Sequence, residues 1–289
     1  MVILPAMRFG FLLKRGKPEA RDLAAELAAV LTRHGCSFVA SGEDVAAVPG
    51  AGTVAPEDLG AAIDALIVLG GDGTFLFGAG LVADHGVPLF GVNLGSLGFI
   101  TRFSRAQAVQ ALEAACAGRL PIDQRMRLGV TVRGREGGVL EVRNAVNDAV
   151  ISQAAMARLL DFETSLDGEI VTTYKADGVI LSTPTGSTAY NLAAGGPILT
   201  PNLEAIVLTP ICPHTLTNRP LVVRGDSAVV VRNVSTTSAQ LTIDGQWGRP
   251  LLPGECIEVR KTDRPLRLYG GSSFFAVLHD KLSWGQRMG

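Results

Sequence analysis

The 289 residues carry 26 basic and 27 acidic side chains, for a net charge of −1, and are 47% hydrophobic and 18% charged. That balance supports a substantial core and excludes intrinsic disorder. It leaves no global basic field, which disfavours a nucleic-acid partner but not a local basic pocket. No stretch reaches the roughly 20 uninterrupted apolar residues of a membrane span, so no membrane partner is expected. The opening MVILPAMRFGFLLKRG places its charge after the apolar residues, the reverse of a secretory leader, and both Met1 and Met7 are candidate starts. Cys36, Cys116, Cys212 and Cys256 lie far apart with no CxxC spacing and read as thiols of a reducing cytoplasm, the expected location.

Up to residue 118 the chain alternates strand and helix. RFGFLL (8–13) is a short strand. Residues 18–34 form a helix with Pro18 in the first turn, Gly35 at its end and Leu23, Leu27, Val30 and Leu31 on one face. CSFVA (36–40) is a strand, and the Gly-, Pro- and acid-rich residues 41–60 read as a loop. ALIVL (65–69) is apolar on both faces, as parallel strands covered by helices are. Residues 74–86 carry Phe75, Ala79 and Val82 at helical spacing, and VPLFGVN (87–93) is the next strand. This alternation predicts a parallel, doubly wound, Rossmann-like α/β sheet in residues 1–118. Residues 104–118 form a helix at the junction.

From 119 to 270 the rhythm becomes that of a β-rich, sandwich-like domain: GVTVRG, LEVRNAV, DAVIS, RLLDFETS, EIVTTYKADGVILS, LVVRG, AVVVRN, AQLTIDG, ECIEVRK and LRLYG, divided by Gly, Asn, Asp and Pro. Residues 274–284 look helical, within a terminal segment (271–289) that returns to the α/β domain.

LGGDGTF (69–75) has three local readings. Asp-Gly suits a hairpin turn. Asp72 or Thr74 suits the N-cap of a connector helix. The glycines Gly70, Gly71 and Gly73 with Thr74 suit a phosphate loop, because glycine lets backbone N–H groups approach an anion. It is not a Walker loop. A carboxylate there repels bare phosphate, but makes sense if it takes a proton from an attacking hydroxyl or helps hold Mg²⁺ between phosphates. A second glycine-rich loop, NLGSLGFIT (93–101), offers Phe99 for stacking. Asn147 and Asp148 are polar neighbours in an apolar segment. The run from Thr185 through Thr188 and Ala189 to Tyr190 offers many short hydrogen-bonding groups and one aromatic face, which suits a nucleoside better than a lipid. The four histidines show no metal-ligand cluster, and no metal ligands are assigned.

GGDGT, LGSLGF, NAVND, DGVILSTPTGSTAYNLAAGGPI, PICPHTLTNRPLVV and DGQ occur in this order, and together they resemble the NAD kinases from about residue 65 to residue 280. GGDGT alone also resembles the corresponding loop of diacylglycerol, sphingosine and 6-phosphofructo-kinases; the TPTGSTAYNLAAGG block is more specific. The resemblance implies transfer of a γ-phosphoryl group from ATP, or of a phosphoryl group from polyphosphate, to the 2′-hydroxyl of the adenosine ribose of NAD. It implies Asp72 as general base, Gly73 as room for ribose and phosphates, and Phe99 against a base. Asn147, Asp148, Asp177, Thr185, Thr188, Ala189, Tyr190 and Gln246 would contact the nucleotide. Arg158 and Lys175 would sit near a phosphate, and Cys212 near a subunit boundary. It further implies Mg²⁺ bound through phosphates, and a homodimer or homotetramer built on the β-rich domain. Some relatives have Glu where Asp148 stands, and several have Arg where Lys175 stands; Lys cannot grip a phosphate bidentately. A lipid kinase and a catalytically silent NADP(H) sensor are the alternatives. The first should show a membrane-facing surface, and the second has no need of both Asp72 and the loop.

Overall fold

The computed structural model describes residues 7–95, 98–153, 159–215, 217–271 and 273–282. The chain divides into two compact units, one of residues 1–124 with 265–289 and the other of residues 125–264. No helix among the described residues is long and apolar enough to cross a membrane.

The first unit opens with β1 (Arg8–Leu13) and α1 (Pro18–Arg33), which buries the leucine face read from its spacing. β2 (Ser37–Ala40) follows. Residues 41–60, expected as a loop, hold two 3-10 turns, Gly42–Ala47 and Pro56–Asp58, and the two-residue β3 (Gly52–Thr53), which pairs with β2. Next come α2 (Leu59–Ala62), β4 (Ala65–Gly70), α3 (Asp72–Val82), β5 (Leu89–Asn93), β6 (Phe103–Ser104), α4 (Arg105–Cys116) and β7 (Ile122–Arg125).

The second unit contains β8 (Leu128–Arg133), β9 (Val139–Ala145), β10 (Asp148–Gln153), β11 (Leu160–Leu166), β12 (Glu169–Ala176) and β13 (Gly178–Ser182). It continues with α5 (Tyr190–Ala193), β14 (Ala205–Ile211), β15 (Leu221–Arg224), β16 (Val229–Asn233), β17 (Ala239–Ile243), β18 (Trp247–Leu251) and β19 (Cys256–Lys261). The chain then returns to the first unit with β20 (Leu266–Tyr269) and α6 (Phe274–Leu282).

The first unit's sheet runs β3-β2-β1-β4-β5-β20-β7, with β6 beside β5. Its core pairings are parallel. Helices cover both faces. Phe9, Phe11, Leu13, Ile67, Leu69 and Phe90 share a core with the apolar residues of α1 and α4. On the opposite face Gly78 of α3 lies so close to Leu12 that a Cβ would fall 2.9 Å from it, and Gly10 lies under Leu59 and Ile63. Burial on two sides is why β4 is apolar throughout. β20, read from its sequence as part of the β-rich domain, is instead a parallel neighbour of β5.

The second unit is a sandwich of two antiparallel sheets, β15-β14-β13-β10-β17-β18 and β12-β11-β16-β19-β8-β9. Ile151, Val179, Leu208 and Leu241 of one meet Val130, Phe162, Val231 and Ile257 of the other in one core. EIVTTYKADGVILS divides at Asp177 into β12 and β13, which belong to different sheets. β14 and β18 were not read as strands at all. Each contains a proline, which argues against a strand locally.

Candidate active site

In the first unit β4 ends at Gly70 and α3 begins at Asp72, with the extended Gly71 between them. LGGDGTF is therefore a strand-to-helix turn, not a hairpin, and no side chain caps the helix. The Asp72 carboxylate is held by the second glycine segment. Thr101 donates to Oδ1 twice, from its backbone N–H (3.1 Å) and its hydroxyl (2.8 Å), and the Phe99 N–H donates to Oδ2 (3.1 Å). Thr101 Oγ1 accepts a bond from Asn93 Nδ2 (2.8 Å), and Asn93 Oδ1 accepts one from the Gly95 N–H (2.8 Å). The loops after β4 and β5 are thus tied together through one carboxylate. Gly98 is required by this contact, because a Cβ there would overlap Asp72 Oδ1 and Thr101 Oγ1. A Cβ on Gly71 or Gly73, by contrast, would meet open space.

That open side is a cavity of about 330 Å³ lined by Gly71, Asp72, Asn93, Lys14, Lys17 and Lys281. The lysines come from the loop after β1 and from α6. None of the three was singled out in the sequence, although KRGK directly after a buried strand was a usable sign. Three ammonium groups around glycine-walled backbone suit an anion. Phe99, expected to lie against a base, has its ring centroid 6.1 Å from that of Phe274, and Lys281 Nζ lies 5.9 Å over it.

In the second unit the other candidates gather around the turn between β9 and β10. Asp244, at φ 52°, accepts the N–H groups of Val146 (2.7 Å), Asn147 (2.7 Å) and Asp148 (3.0 Å). Thr183 Oγ1 donates to Val146 O (2.6 Å), and the Thr183 N–H to Asn147 O (2.9 Å). Gly186 lies against this turn so closely that a Cβ would overlap the Asn147 carbonyl. Asn147, Asp148 and Thr185 are therefore brought together, all buried. The buried atoms Asn147 Oδ1 and Thr185 Oγ1 have no hydrogen-bond partner. Burial, with the Asp244 charge beside it, pushes the Asp148 carboxyl up to about 7. Burial also raises Asp244, against which three donated N–H bonds and Arg127 work. The sequence reading took Gln246 from DGQ and passed over Asp244.

Thr188 and Ala189 follow on a short 3-10 turn, and Tyr190, which opens α5, is 47% exposed. Asn191 anchors this loop. It donates to Ser187 O (3.0 Å) and Pro197 O (3.1 Å) and accepts from Thr209 Oγ1 (2.6 Å). Asp177 is half-buried at the crossover between sheets, and Lys175 is exposed on β12. Cys212 and Gln246 are exposed, Cys212 at φ 43°. Arg158 lies outside the described residues.

A carboxylate at the rim of a lysine-lined, glycine-walled cavity defines the class as a phosphoryl-transfer protein. Residues 9–120 match the ATP-NAD kinase N-terminal domain, and residues 146–270 match the ATP-NAD kinase C-terminal domain. An NAD kinase from Geotalea daltonii is 44% identical over 93% of this chain and 90% of its own. One from Koribacter versatilis is 44% identical over 96% and 98%. The fold superposes on the crystal structure of yeast NADH kinase complexed with NADH with a TM-score of 0.90, at 26% identity, covering 99% of this chain and 90% of that one. The chain belongs to the NAD kinase family, and it is an enzyme of that family.

Proposed function

We propose that this chain transfers the γ-phosphoryl group of ATP, or a phosphoryl group of polyphosphate, to the 2′-hydroxyl of the adenosine ribose of NAD, giving NADP. The observation that carries the reading is the Asp72 carboxylate, fixed at the rim of the lysine-lined cavity. A carboxylate has about four acceptor sites. Three are filled by Phe99 and Thr101, and the remaining one, on Oδ2, is the site at which the ribose hydroxyl loses its proton. The same three donors hold Asp72 still, and a base held within reach of its hydroxyl contributes roughly 10²–10⁴-fold. Lys14, Lys17 and Lys281 neutralise the donor phosphates. The unpartnered Asn147 Oδ1 and Thr185 Oγ1, with Asp148, bind the hydroxyl- and amide-rich parts of NAD.

Among the described residues no group of three or more His, Cys, Asp or Glu could hold a metal ion. A divalent ion, Mg²⁺, would be carried mainly by the donor phosphates, with Asp72 as the carboxylate on the same cavity. When bound, such an ion would supply charge neutralisation and alignment of the phosphates. The edge strands β9 and β12 expose Val139, Leu140, Val142 and Ile170. Apolar sheet edges of this kind favour self-association, as a homodimer or homotetramer.

The test is a coupled assay. The purified protein is given NAD and Mg²⁺ with either ATP or polyphosphate, and NADP is read by an NADP-specific dehydrogenase. NADP formation is expected. Its absence with both donors, from folded protein that binds NADP, would replace the reading with that of a sensor.

A further inference from the structure

The two helices that cover one face of the first unit's sheet, α1 and α4, lie side by side with like ends together. At the amino ends Arg105 donates to Glu19 O (3.0 Å) and pairs with Glu26 (2.9 Å). At the carboxyl ends Arg33 pairs with Glu113 (3.4 Å). This alignment brings two cysteines together. Cys116 is the last residue of α4, and Cys36 follows the left-handed Gly35 just past the end of α1. Both are free thiols, partly buried against the same core. The two thiols are in hydrogen-bonding contact, and the Cys36 S–H also donates to His34 O (3.9 Å).

A single cysteine in such a place packs as a small apolar residue. Two cysteines drawn into contact from roughly 80 positions apart stand at the approach from which an S–S bond closes. The pair is also within reach of solvent, because His34, Gly35, Ser37, Ala117 and Gly118 beside it are exposed. Its two members differ. Burial, with the Cys36 thiol beside it, pushes the Cys116 thiol up to about 12. Cys36 is therefore the thiol that attacks first, and Cys116 the one that resolves.

We propose that Cys36 and Cys116 form a reversible redox site, a disulfide that staples α1 to α4 when the surrounding thiol pool is oxidised. The oxidant is a small-molecule disulfide. The Cys36 thiolate attacks one of its sulfurs, its S–S bond breaks, and one small thiolate leaves. The Cys116 thiolate then attacks Cys36 Sγ of the mixed disulfide, and the second small thiolate leaves. Two protein thiols are oxidised, one small disulfide is reduced, and the two protons given up by the cysteines end on the released thiols. In a reducing compartment the site rests as two thiols, and its disulfide is transient. Closing a loop of roughly 80 residues restricts the unfolded chain and so stabilises the fold. Neither the exchange nor its test depends on the kinase reading.

The test equilibrates the full chain with glutathione buffers running from reduced to oxidised, followed by quenching with an alkylating agent and peptide mass spectrometry without reduction. At the oxidised end Cys36 joined to Cys116 within one chain is expected, and at the reduced end two free thiols. The oxidised form should melt higher by about 5 °C or more, and dithiothreitol should reverse the rise. Cys116→Ser removes the resolving thiol and should hold glutathione on Cys36, whereas Cys36→Ser should leave the other thiol largely free. Both variants should lose the oxidation-dependent rise in Tm. The exposed Cys212 reports that the oxidant is active, because it takes up glutathione in every oxidised sample. The proposal is overturned if, with Cys212 modified, Cys36 and Cys116 stay free or each carries glutathione. It is also overturned if either joins a different cysteine or another chain, or if their disulfide forms and Tm does not rise.

Discussion

Asp72→Asn separates the two duties given to this carboxylate. In the unaltered chain its oxygens accept from the Phe99 N–H, the Thr101 N–H and the Thr101 hydroxyl. An asparagine can keep its oxygen towards Thr101, but its NH₂ then faces the Phe99 N–H, donor against donor. One lost bond with a stranded donor costs about 1–3 kcal/mol. For a unit of this size that lowers Tm by about 2–4 °C per kcal/mol. The amide cannot take a proton, so kcat should fall a further 10²–10⁴-fold. Thr101→Val is the control. It removes a hydroxyl that donates to Asp72 and accepts from Asn93 Nδ2, yet leaves the carboxylate itself. A similar loss of Tm is expected, with kcat reduced less than tenfold. Thermal melts and steady-state kinetics on both variants decide the matter. Asp72→Asn with kcat within threefold of the unaltered enzyme would remove Asp72 as the base. Thr101→Val with a kcat loss equal to that of Asp72→Asn would reduce the carboxylate to a clamp.

Asp148, raised from 3.8 to about 7, binds its proton more tightly folded than unfolded, so its contribution to stability is complete below about pH 4 and is lost as pH rises through about 7. That loss amounts to at most about 4 kcal/mol. Asp148→Asn should therefore melt above the unaltered chain at pH 8 and close to it at pH 5, as scanning calorimetry at the two pH values would show; an equal gap at both would contradict the shift. Gly186→Ala drives a Cβ into the Asn147 backbone, which cannot yield as a side-chain tip can. A loss of about 1–3 kcal/mol is expected, with weaker NAD binding and unchanged tripolyphosphate binding by calorimetry. Lys281→Ala, on the exposed face of α6, should raise the KM for ATP several-fold and shift Tm by less than a degree or two; an unchanged KM would take Lys281 out of the donor site.

Much of the architecture is written locally. ALIVL is apolar on both faces because it is covered on both, and the leucine spacing of α1 is the face it buries. The same holds for the glycine turn at 70–74 and for the short strands that mark the second unit. These follow from side-chain periodicity and backbone freedom, which are properties of neighbouring residues. Tertiary structure decided the rest. The carboxylate of Asp72 finds its partners at Phe99 and Thr101, across another strand. Asp244, hidden inside DGQ, closes the turn that presents Asn147 and Asp148, nearly a hundred residues earlier in the chain. Lys14, Lys17 and Lys281 converge only because α6 comes back to the first unit. β20 joins the parallel sheet and β12 parts from β13 for the same reason: strand partnership is fixed by register and topology, which bring together hydrogen-bonding groups and charges that no local pattern relates.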